Sequence, residues 1–294
     1  MNSVTSFSTI SELVSMAEEN CSSISEIVLS CEAQKMQNSR KEIIEAMNQR
    51  LTVMKKSIEK GRKNYSYSVS KMVGMNAAKF DNFMNKNSIL GKIVEKAICY
   101  ALSVSEVNAC MGLVVACPTA GSCGILPGAV LSVSEEMNVP DEKIVLSLFT
   151  AAGIGMVIGK NATLSGAVGG CQAECGSASA MAAAAVLELL GGTPSQIGHA
   201  VALALKNYLG LVCDPVAGLV EVPCVKRNAF AAVHALVAAE LALAGIESVI
   251  PPDEVILASY EIGRLMPKSL KETSEAGLAT TSTGRKVESM INNL

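Results

Sequence analysis

Aromatic residues are scarce in this sequence: there is no tryptophan, and only five phenylalanines and five tyrosines occur among 294 residues. Because 50% of the residues are nonetheless hydrophobic, the core must be built from Ala, Val, Leu, Ile and Met. Tight aliphatic packing of this kind favours helices over a β-sandwich. Alternating strand patterns and repeats of fixed period are also missing. The sequence therefore predicts an all-α fold in a single compact domain.

Clustered positive charge and long uncharged apolar runs are missing as well. The net charge is −3 and the lysines and arginines are scattered, which argues against a nucleic-acid partner. A membrane-spanning helix needs roughly 20 apolar residues without charge. Residues 144–159 are too few and lie between two lysines, 109–133 contains two prolines, and 230–250 carries a histidine and two glutamates. We therefore expect no membrane partner.

The N-terminus shows no basic segment followed by an apolar stretch and a cleavage site, so we expect a cytoplasmic location. In a reducing compartment the ten cysteines are not expected to form a disulfide framework. Most should be small buried hydrophobic residues, and a subset is a candidate for metal binding. The two histidines, His199 and His234, lie in Ala- and Val-rich helical stretches and are predicted to be packed or hydrogen-bonded rather than catalytic.

The N-terminal region is charged and has a helical pattern. Three Ser or Thr residues are followed three positions later by Glu, as in a capping box: Thr9–Glu12, Ser23–Glu26 and Ser39–Glu42. We interpret residues 1–63 as an N-terminal helical arm of the same domain as residues 64–294. Residues 64–87 are polar and predict a loop with a short helix.

The C-terminal half contains further helical patterns with clear start and stop signals. They predict helices over about residues 180–190, 194–210, 228–245 and 251–266. The tail from Ser269 is polar and rich in Thr and Gly near its end, and no helix is predicted there.

Three stretches interrupt the helical pattern, and each combines Cys with Gly, Pro or other small residues: 117–128, 165–176 and 213–224. Glycine allows backbone to approach a ligand closely, and stiff loops between buried helices suit a rigid site. Cys171 follows two glycines, and Cys213 and Cys224 bracket a loop with two prolines. Shared metal ligation by these three is one hypothesis, and simple burial of the thiols is the other. Their spacing matches neither zinc-finger nor ferredoxin patterns.

These three segments resemble those of the α chain of the bacterial iron–sulfur-dependent L-serine dehydratases. The resemblance extends along nearly the whole chain, from residues 24–28 to residues 271–279. It implies a helical catalytic domain at 64–294 that deaminates L-serine to pyruvate and ammonia. It also implies a 4Fe–4S cluster with ligands matching Cys171, Cys213 and Cys224. We expect L-serine as the substrate, a separate β chain as a partner, and an oligomer.

The sequence departs from the family pattern in two places. Some single-chain relatives end in a cysteine that can reach the cluster, whereas this sequence ends in Asn-Asn-Leu294, so we expect that device to be absent. The family's Ser-Gly-Leu-x-Gly-Gly-Asp loop is matched only loosely, by residues 70–79.

Three cysteine ligands would leave one iron with an open position, where it can act as a Lewis acid in the β-elimination of water. In the first loop Thr119 and Ser122 are candidate catalytic residues, and the alternative is that they cap turns. Arg227 and Lys226 are candidates for binding the substrate carboxylate, and Asn228 for binding an amine or a cluster sulfide. The base is left open between a serine alkoxide of this loop and a histidine of the β chain.

Three alternatives remain at this point. A related lyase could act on L-threonine or L-cysteine, because a pocket separates such substrates by only ~1–3 kcal/mol. A pyridoxal-phosphate enzyme is disfavoured, because the best candidate for a phosphate loop with a lysine, at 159–161, is a poor match. A non-catalytic iron–sulfur protein would need a fourth protein ligand, either Cys175 or Cys117.

Overall fold

The computed structural model describes residues 6–293 except Tyr65, Asn85 and Asn87. These residues form α-helices joined by loops of different lengths, and the part of the chain that is described contains no β-sheet, only two isolated backbone bridges. The predicted all-α fold is confirmed. The helices are α1 Ile10–Glu19, α2 Ile24–Met36, α3 Arg40–Arg62, α4 Asn76–Phe83, α5 Lys92–Ala109, α6 Ile125–Glu136, α7 Asp141–Asn161, α8 Gly166–Gly169, α9 Ser177–Leu189, α10 Pro194–Lys206, α11 Cys224–Leu243, α12 Pro252–Leu265 and α13 Ser282–Ile291.

The helix starts follow the local cap signals. Thr9, Ser39 and Thr193 form complete capping boxes, in which side chain and backbone satisfy each other's hydrogen bonds. The box predicted at Ser23 is one-sided: Ser23 accepts a hydrogen bond from the backbone of Glu26, whereas the Glu26 carboxylate pairs with Arg40. A long-range charge partner has thus replaced the second bond of this box.

The alanine-rich helix α9 lies at the centre of the molecule and packs against α6, α7, α10 and α11. Its residues from Ser177 to Leu187 are all buried. Small side chains on α9 let the surrounding helices approach closely, and bulkier aliphatic residues on those helices fill the space between them. The scarcity of aromatic residues is therefore compatible with a densely packed core.

The N-terminal helices α1–α3 contribute to the same hydrophobic cluster as the later helices, through residues such as Leu13, Leu29 and Leu51. The start of α1 is also tied to α12, because the Asp253 carboxylate accepts hydrogen bonds from the backbone of Ile10 and Ser11. The boundary at residue 63 stays a prediction.

Helix α7 is long and apolar enough to cross a membrane by length and composition. However, 67% of its most apolar window is buried inside the fold, as in the core helix of a globular protein. The expectation that no membrane is involved stays a prediction.

Several helix predictions were wrong at their ends. The helix predicted to run to residue 210 ends at Lys206, and the one predicted from 228 begins at Cys224. Helix α13 was not predicted, because it is polar and only Gly284 within it is buried. Within 165–176, expected to be irregular, the chain forms α8 and a π-helical turn, Gln172–Gly176, that leads directly into α9.

Candidate metal centre and active site

Four buried cysteines belong to one site in the interior: Cys171, Cys175, Cys213 and Cys224, each at most 8% exposed. Cys171 directly precedes the π-helical turn that contains Cys175, and their sulfur atoms lie 3.5 Å apart. Cys224 is the first residue of α11. The structure thus brings the three predicted ligands into one interacting group and adds Cys175 to them.

The π-helical turn is held by Gln172, whose side chain is completely buried. Its amide nitrogen donates to the carbonyl of Ser259 at 2.7 Å, and its amide oxygen accepts from the backbone of Gly210 at 2.8 Å. A buried amide with partners on two other segments fixes the backbone that carries it. Gln172 therefore fixes the direction in which Cys171 and Cys175 point.

Cys213 is held by the segment that follows α12, which the sequence indicated only as a polar tail. The Cys213 amide donates to the carbonyl of Leu270 at 2.9 Å, and the Glu272 amide donates to the carbonyl of Cys213 at 2.7 Å. The Ser274 hydroxyl donates to the carbonyl of Pro215 at 2.7 Å. The tail is therefore part of the frame of the site.

Arg227 and Asp214 form an ion pair beside these thiols, with Nη2 and Oδ1 2.9 Å apart. The other Asp214 oxygen accepts a hydrogen bond from the backbone of Leu278 at 2.8 Å, which links the pair to the tail. Arg227, a predicted ligand of the substrate carboxylate, thus already has a carboxylate partner. Lys226 is exposed. The substrate-binding roles of Arg227 and Lys226 stay predictions.

Glu174 lies between the thiols and the loop of Thr119, and the sequence analysis missed it. Its Oε1 accepts a hydrogen bond from the Thr119 hydroxyl at 2.8 Å, and its Oε2 lies 3.9 Å from the Cys213 sulfur. Burial raises the pKa of Glu174 to about 7, although the Thr119 hydrogen bond opposes the shift. One signal was available: Glu174 is the single acidic residue of the 165–176 stretch.

Thr119 and Ser122 lie against this carboxylate. Their hydroxyl oxygens are 3.0 Å apart, and Ser122 is completely buried. Because Thr119 donates its proton to Glu174, Ser122 must be the donor to Thr119. The same hydroxyls also accept hydrogen bonds from each other's backbone amides, so they cap the turn as well. Their catalytic role stays a prediction.

Asn228 fixes the backbone of the loop that contains Thr119 and Ser122. Its amide oxygen accepts from the backbone of Gly124 at 2.9 Å, and its amide nitrogen donates to the carbonyls of Gly121 and Cys224 at 2.7 and 2.9 Å. Both amide hydrogens are therefore used by the backbone. The predicted binding of an amine or a cluster sulfide by Asn228 stays a prediction. To donate to a sulfide, the Asn228 amide would have to give up one of its hydrogen bonds to a backbone carbonyl.

The loosely matched loop at 70–79 begins beside the same site. The hydroxyls of Ser68 and Ser70 both donate to Oε2 of Glu221 at 2.6 Å, and Glu221 is buried three residues before Cys224. A buried carboxylate with two hydroxyl donors holds the loop against the segment of Cys224.

The thiols differ in their affinity for protons. Hydrogen bonds from the Cys175 and Cys213 thiols hold the pKa of Cys171 well below its usual range, and the Arg227 guanidinium adds to the shift. The hydrogen bond to Cys171, together with burial, raises the pKa of Cys175 well above the usual value. Burial raises the pKa of Cys224 to about 12. A metal that replaces these shared protons would be bound by thiolates.

The donor set fits a thiolate-bound metal group. The ligand atoms of Cys171, Glu174 and Cys213 lie within 4.8 Å of one another, and Cys224 lies outside this group of three. Buried thiolates are soft ligands, which suit iron–sulfur clusters or zinc. A Cβ atom on Gly166 would lie 2.6 Å from Glu174 Oε2 and 3.2 Å from Cys213 Sγ, so glycine is required for the backbone to pass the site here.

The remaining candidates are engaged elsewhere. The Cys117 sulfur is buried and lies 3.3 Å from the backbone oxygen of Cys123. We call the surroundings of these two residues the pocket of Cys117. The imidazoles of His199 and His234 are hydrogen-bonded to the backbone of Ser248 and Ala204. The prediction that both histidines are packed or hydrogen-bonded is confirmed.

Comparison with known proteins identifies the family of this chain. A family described as "Serine dehydratase alpha chain" matches residues 19–279. The chain is 46% identical to the probable L-serine dehydratase, alpha chain, of Bacillus subtilis over 97% of its own length and 95% of that protein. It is 44% identical to the L-serine dehydratase, alpha chain, of Peptoniphilus asaccharolyticus, over 95% of this chain and 96% of that one.

Longer relatives are matched in part. The chain is 48% identical to the L-serine dehydratase TdcG of Escherichia coli over 61% of its own length and 40% of that protein. The match over residues 19–279 covers the turn of Cys171, the loop of Thr119 and the tail that holds Cys213. The chain belongs to the serine dehydratase alpha chain family.

Proposed function

We propose that this chain deaminates L-serine to pyruvate and ammonia at a 4Fe–4S cluster held by Cys171, Cys213 and Cys224, together with a separate β chain. The observation that carries the proposal is the convergence of buried thiols on a carboxylate, Glu174, that is hydrogen-bonded to Thr119. The names of the relatives, L-serine dehydratase alpha chain, support the substrate. A cytoplasmic location and an oligomer are part of the proposal and rest on the sequence.

The thiolates of Cys171, Cys213 and Cys224 would hold the cluster. When bound, it supplies a Lewis-acidic iron that makes the serine hydroxyl a better leaving group. Three protein ligands would leave one position of the cluster available to a substrate. Cys175 then remains a thiol beside the ligand Cys171.

Within this chain, Glu174 is our candidate for the general base. Elimination requires the Cα proton of serine to leave while hydroxide departs from Cβ. Glu174 would take that proton at a carboxylate oxygen and then give it to the departing hydroxide, which leaves as water, so that the carboxylate is regenerated. Thr119 holds the carboxylate in place through its hydroxyl, and Ser122 holds Thr119. The resulting aminoacrylate tautomerises to an imine and hydrolyses without further need of the protein.

The other residues keep this arrangement rigid. Asn228 fixes the loop of Thr119 through three bonds to backbone atoms. Asp214 holds Arg227 beside Cys171 and pins the tail at Leu278. A site whose groups are held in advance needs little reorganisation during the reaction.

A direct experiment is to purify the chain without oxygen together with its β chain, and to measure iron, sulfide and pyruvate formation from L-serine. We expect both elements and turnover in the wild type, and loss of both elements in Cys213→Ser. Cys21→Ser is the matched control, because Cys21 is exposed and lies in the N-terminal arm. Turnover that needs pyridoxal phosphate and survives without iron would contradict the proposal.

A second candidate, a non-catalytic iron–sulfur protein, is favoured by one observation: Cys175 lies 3.5 Å from Cys171 and offers a fourth thiol. Four cysteine ligands are typical of electron-transfer clusters. A Cys175→Ala chain that keeps its cluster and its turnover would exclude this candidate. A chain that loses the cluster would favour it.

A further inference from the structure

Cys175 is a buried thiol that the proposed reaction does not use. It is 2% exposed, and its nearest sulfur neighbour is Cys171, at 3.5 Å. The two residues lie four positions apart at the start of a single helical turn that Gln172 fixes to two other segments. The pair is therefore held in contact by the backbone.

A disulfide requires sulfur atoms roughly 2.0 Å apart, so this pair would have to approach by about 1.5 Å. Rotation of two adjacent side chains on one turn can supply such a movement. The competing partner of Cys171 is Cys213, whose sulfur lies within 4.8 Å of the Cys171 sulfur. Cys213 lies on a different segment, however, which backbone hydrogen bonds tie to Leu270 and Glu272. Cys175 is thus the partner that needs the least backbone movement.

A small oxidant can reach the pair once no metal is bound. Glu174, between the two cysteines in sequence, is partly exposed, so the pocket is not sealed from solvent. The glycine at 166 leaves space beside Glu174 and Cys213 that a side chain would fill.

We propose that Cys175 is a resolving thiol for Cys171: in the metal-free chain hydrogen peroxide converts the two thiols into a disulfide. The Cys171 sulfur attacks peroxide, its S–H bond and the O–O bond break, and a sulfenic acid and water form. The Cys175 sulfur then attacks the sulfenic sulfur, an S–S bond forms, and a second water leaves. Two thiols are oxidised by two electrons in total, and one peroxide is reduced to two waters.

The consequence is reversible protection of a metal ligand. A disulfide returns to thiols with a thiol reductant, whereas a sulfinic acid does not. Cys175 would therefore allow Cys171 to be recovered after oxidative loss of the metal. The oxidation concerns the metal-free chain, and only its protective meaning rests on the proposed function, in which Cys171 is a cluster ligand.

Trypsin digestion makes the pair easy to follow. Residues 161–206 form one tryptic peptide whose only cysteines are Cys171 and Cys175, and residues 207–226 form another with Cys213 and Cys224. The metal-free full-length chain is treated with hydrogen peroxide, alkylated with N-ethylmaleimide and digested with trypsin. The masses of the peptides are then measured by mass spectrometry. We expect the 161–206 peptide to be unalkylated and lighter by two hydrogen atoms, and to accept two maleimides after treatment with dithiothreitol.

In Cys175→Ser and Cys175→Ala we expect Cys171 to be found as sulfinic acid, and dithiothreitol to leave it unchanged. Cys21→Ser is the control and should behave as the wild type. A link between the two tryptic peptides, or full alkylation of 161–206 after peroxide, would overturn the proposal.

A second readout follows iron and sulfide uptake after peroxide and dithiothreitol. The wild type should regain both, and the Cys175 variants should not; equal recovery by the variants would contradict the protective role. If untreated wild type takes up no iron at all, the proposed function fails, while the peptide masses still decide the fate of the thiols.

Discussion

Two pairs of buried cysteines make an instructive comparison. Cys117 and Cys123 lie in one pocket, and burial raises the pKa of both thiols, that of Cys123 to about 12. Cys171 and Cys175 are equally buried, yet hydrogen bonds from neighbouring thiols hold the pKa of Cys171 well below its usual range. In the first pair the Cys117 sulfur has the backbone oxygens of Val115 and Cys123 as partners, whereas the second pair has thiols, a carboxylate and a guanidinium as neighbours.

The comparison teaches that burial alone leaves a cysteine as a small hydrophobic residue. Polar neighbours that share its proton turn a buried thiol into a candidate metal ligand. This difference separates the pocket of Cys117 from that of Cys171 and is open to direct tests.

The largest expected effect concerns matched serine substitutions in the two pockets. Cys213→Ser should abolish iron and sulfide binding, because it removes one of three proposed ligands. Cys123→Ser should keep the cluster and lose about 1–3 kcal/mol of stability, the cost of a buried hydroxyl without a partner. Iron and sulfide analysis and urea unfolding measure the two effects. Loss of the cluster in Cys123→Ser but not in Cys213→Ser would contradict the distinction between the two pairs of cysteines.

The next effect concerns two half-buried glutamates, one beside the thiols of Cys171 and Cys213 and one away from them. Glu174→Gln should lower the rate of pyruvate formation by roughly 10²–10⁴-fold, as expected for loss of a general base, and should leave the iron content unchanged. Glu188→Gln is the matched control: Glu188 is half-buried at the end of α9, where it accepts hydrogen bonds from Ser25 and Thr150. Steady-state kinetics of pyruvate formation provide the measurement. An equal loss of rate in both variants would contradict the role of Glu174.

A smaller effect concerns the ion pair of Asp214 and Arg227, which is part of the frame around Cys213. Asp214→Asn leaves Arg227 without its carboxylate partner, and breaking a buried ion pair should cost about 3 kcal/mol of unfolding free energy. The exposed pair of Lys55 and Asp141 is the control, and Asp141→Asn should cost below about 1 kcal/mol. Urea unfolding of the two variants provides the measurement. A larger loss in Asp141→Asn would refute the importance of the frame.

The smallest expected effect concerns the pH dependence of stability that Glu188 contributes, because this carboxyl group lies away from the thiols. Burial raises the pKa of Glu188, so the protonated form favours the folded state. Its stabilising contribution is complete below the ordinary glutamate pKa and is lost as the pH rises through the higher folded value. Glu188→Gln should therefore gain stability relative to the wild type as the pH rises over this range. Thermal unfolding across pH tests this, and a constant difference would contradict it.

Much of the fold could be predicted because its signals are local. The capping boxes at Thr9, Ser39 and Thr193 and the apolar helices depend on residues close in sequence. Helix α13 was missed because it is polar and packs little. The all-α class followed from the aliphatic composition.

The candidate site was only partly predictable, because its contacts join distant segments. The resemblance to a family picked Cys171, Cys213 and Cys224, which spacing alone could not distinguish from other buried cysteines. Glu174 was missed because its partner Thr119 is 55 positions away in sequence. Asn228 was given a binding role because its bonds to the backbone of a distant loop leave no trace in its own sequence neighbourhood.

The most direct test of the three-cysteine cluster is Mössbauer spectroscopy of the iron-57-labelled protein, prepared without oxygen, before and after addition of L-serine. We predict that serine shifts the signal of a single iron, because three cysteine ligands leave one iron without a protein thiolate. Cys175→Ala should show the same shift. A spectrum that serine leaves unchanged, or a cluster that is lost in Cys175→Ala, would contradict the proposed site.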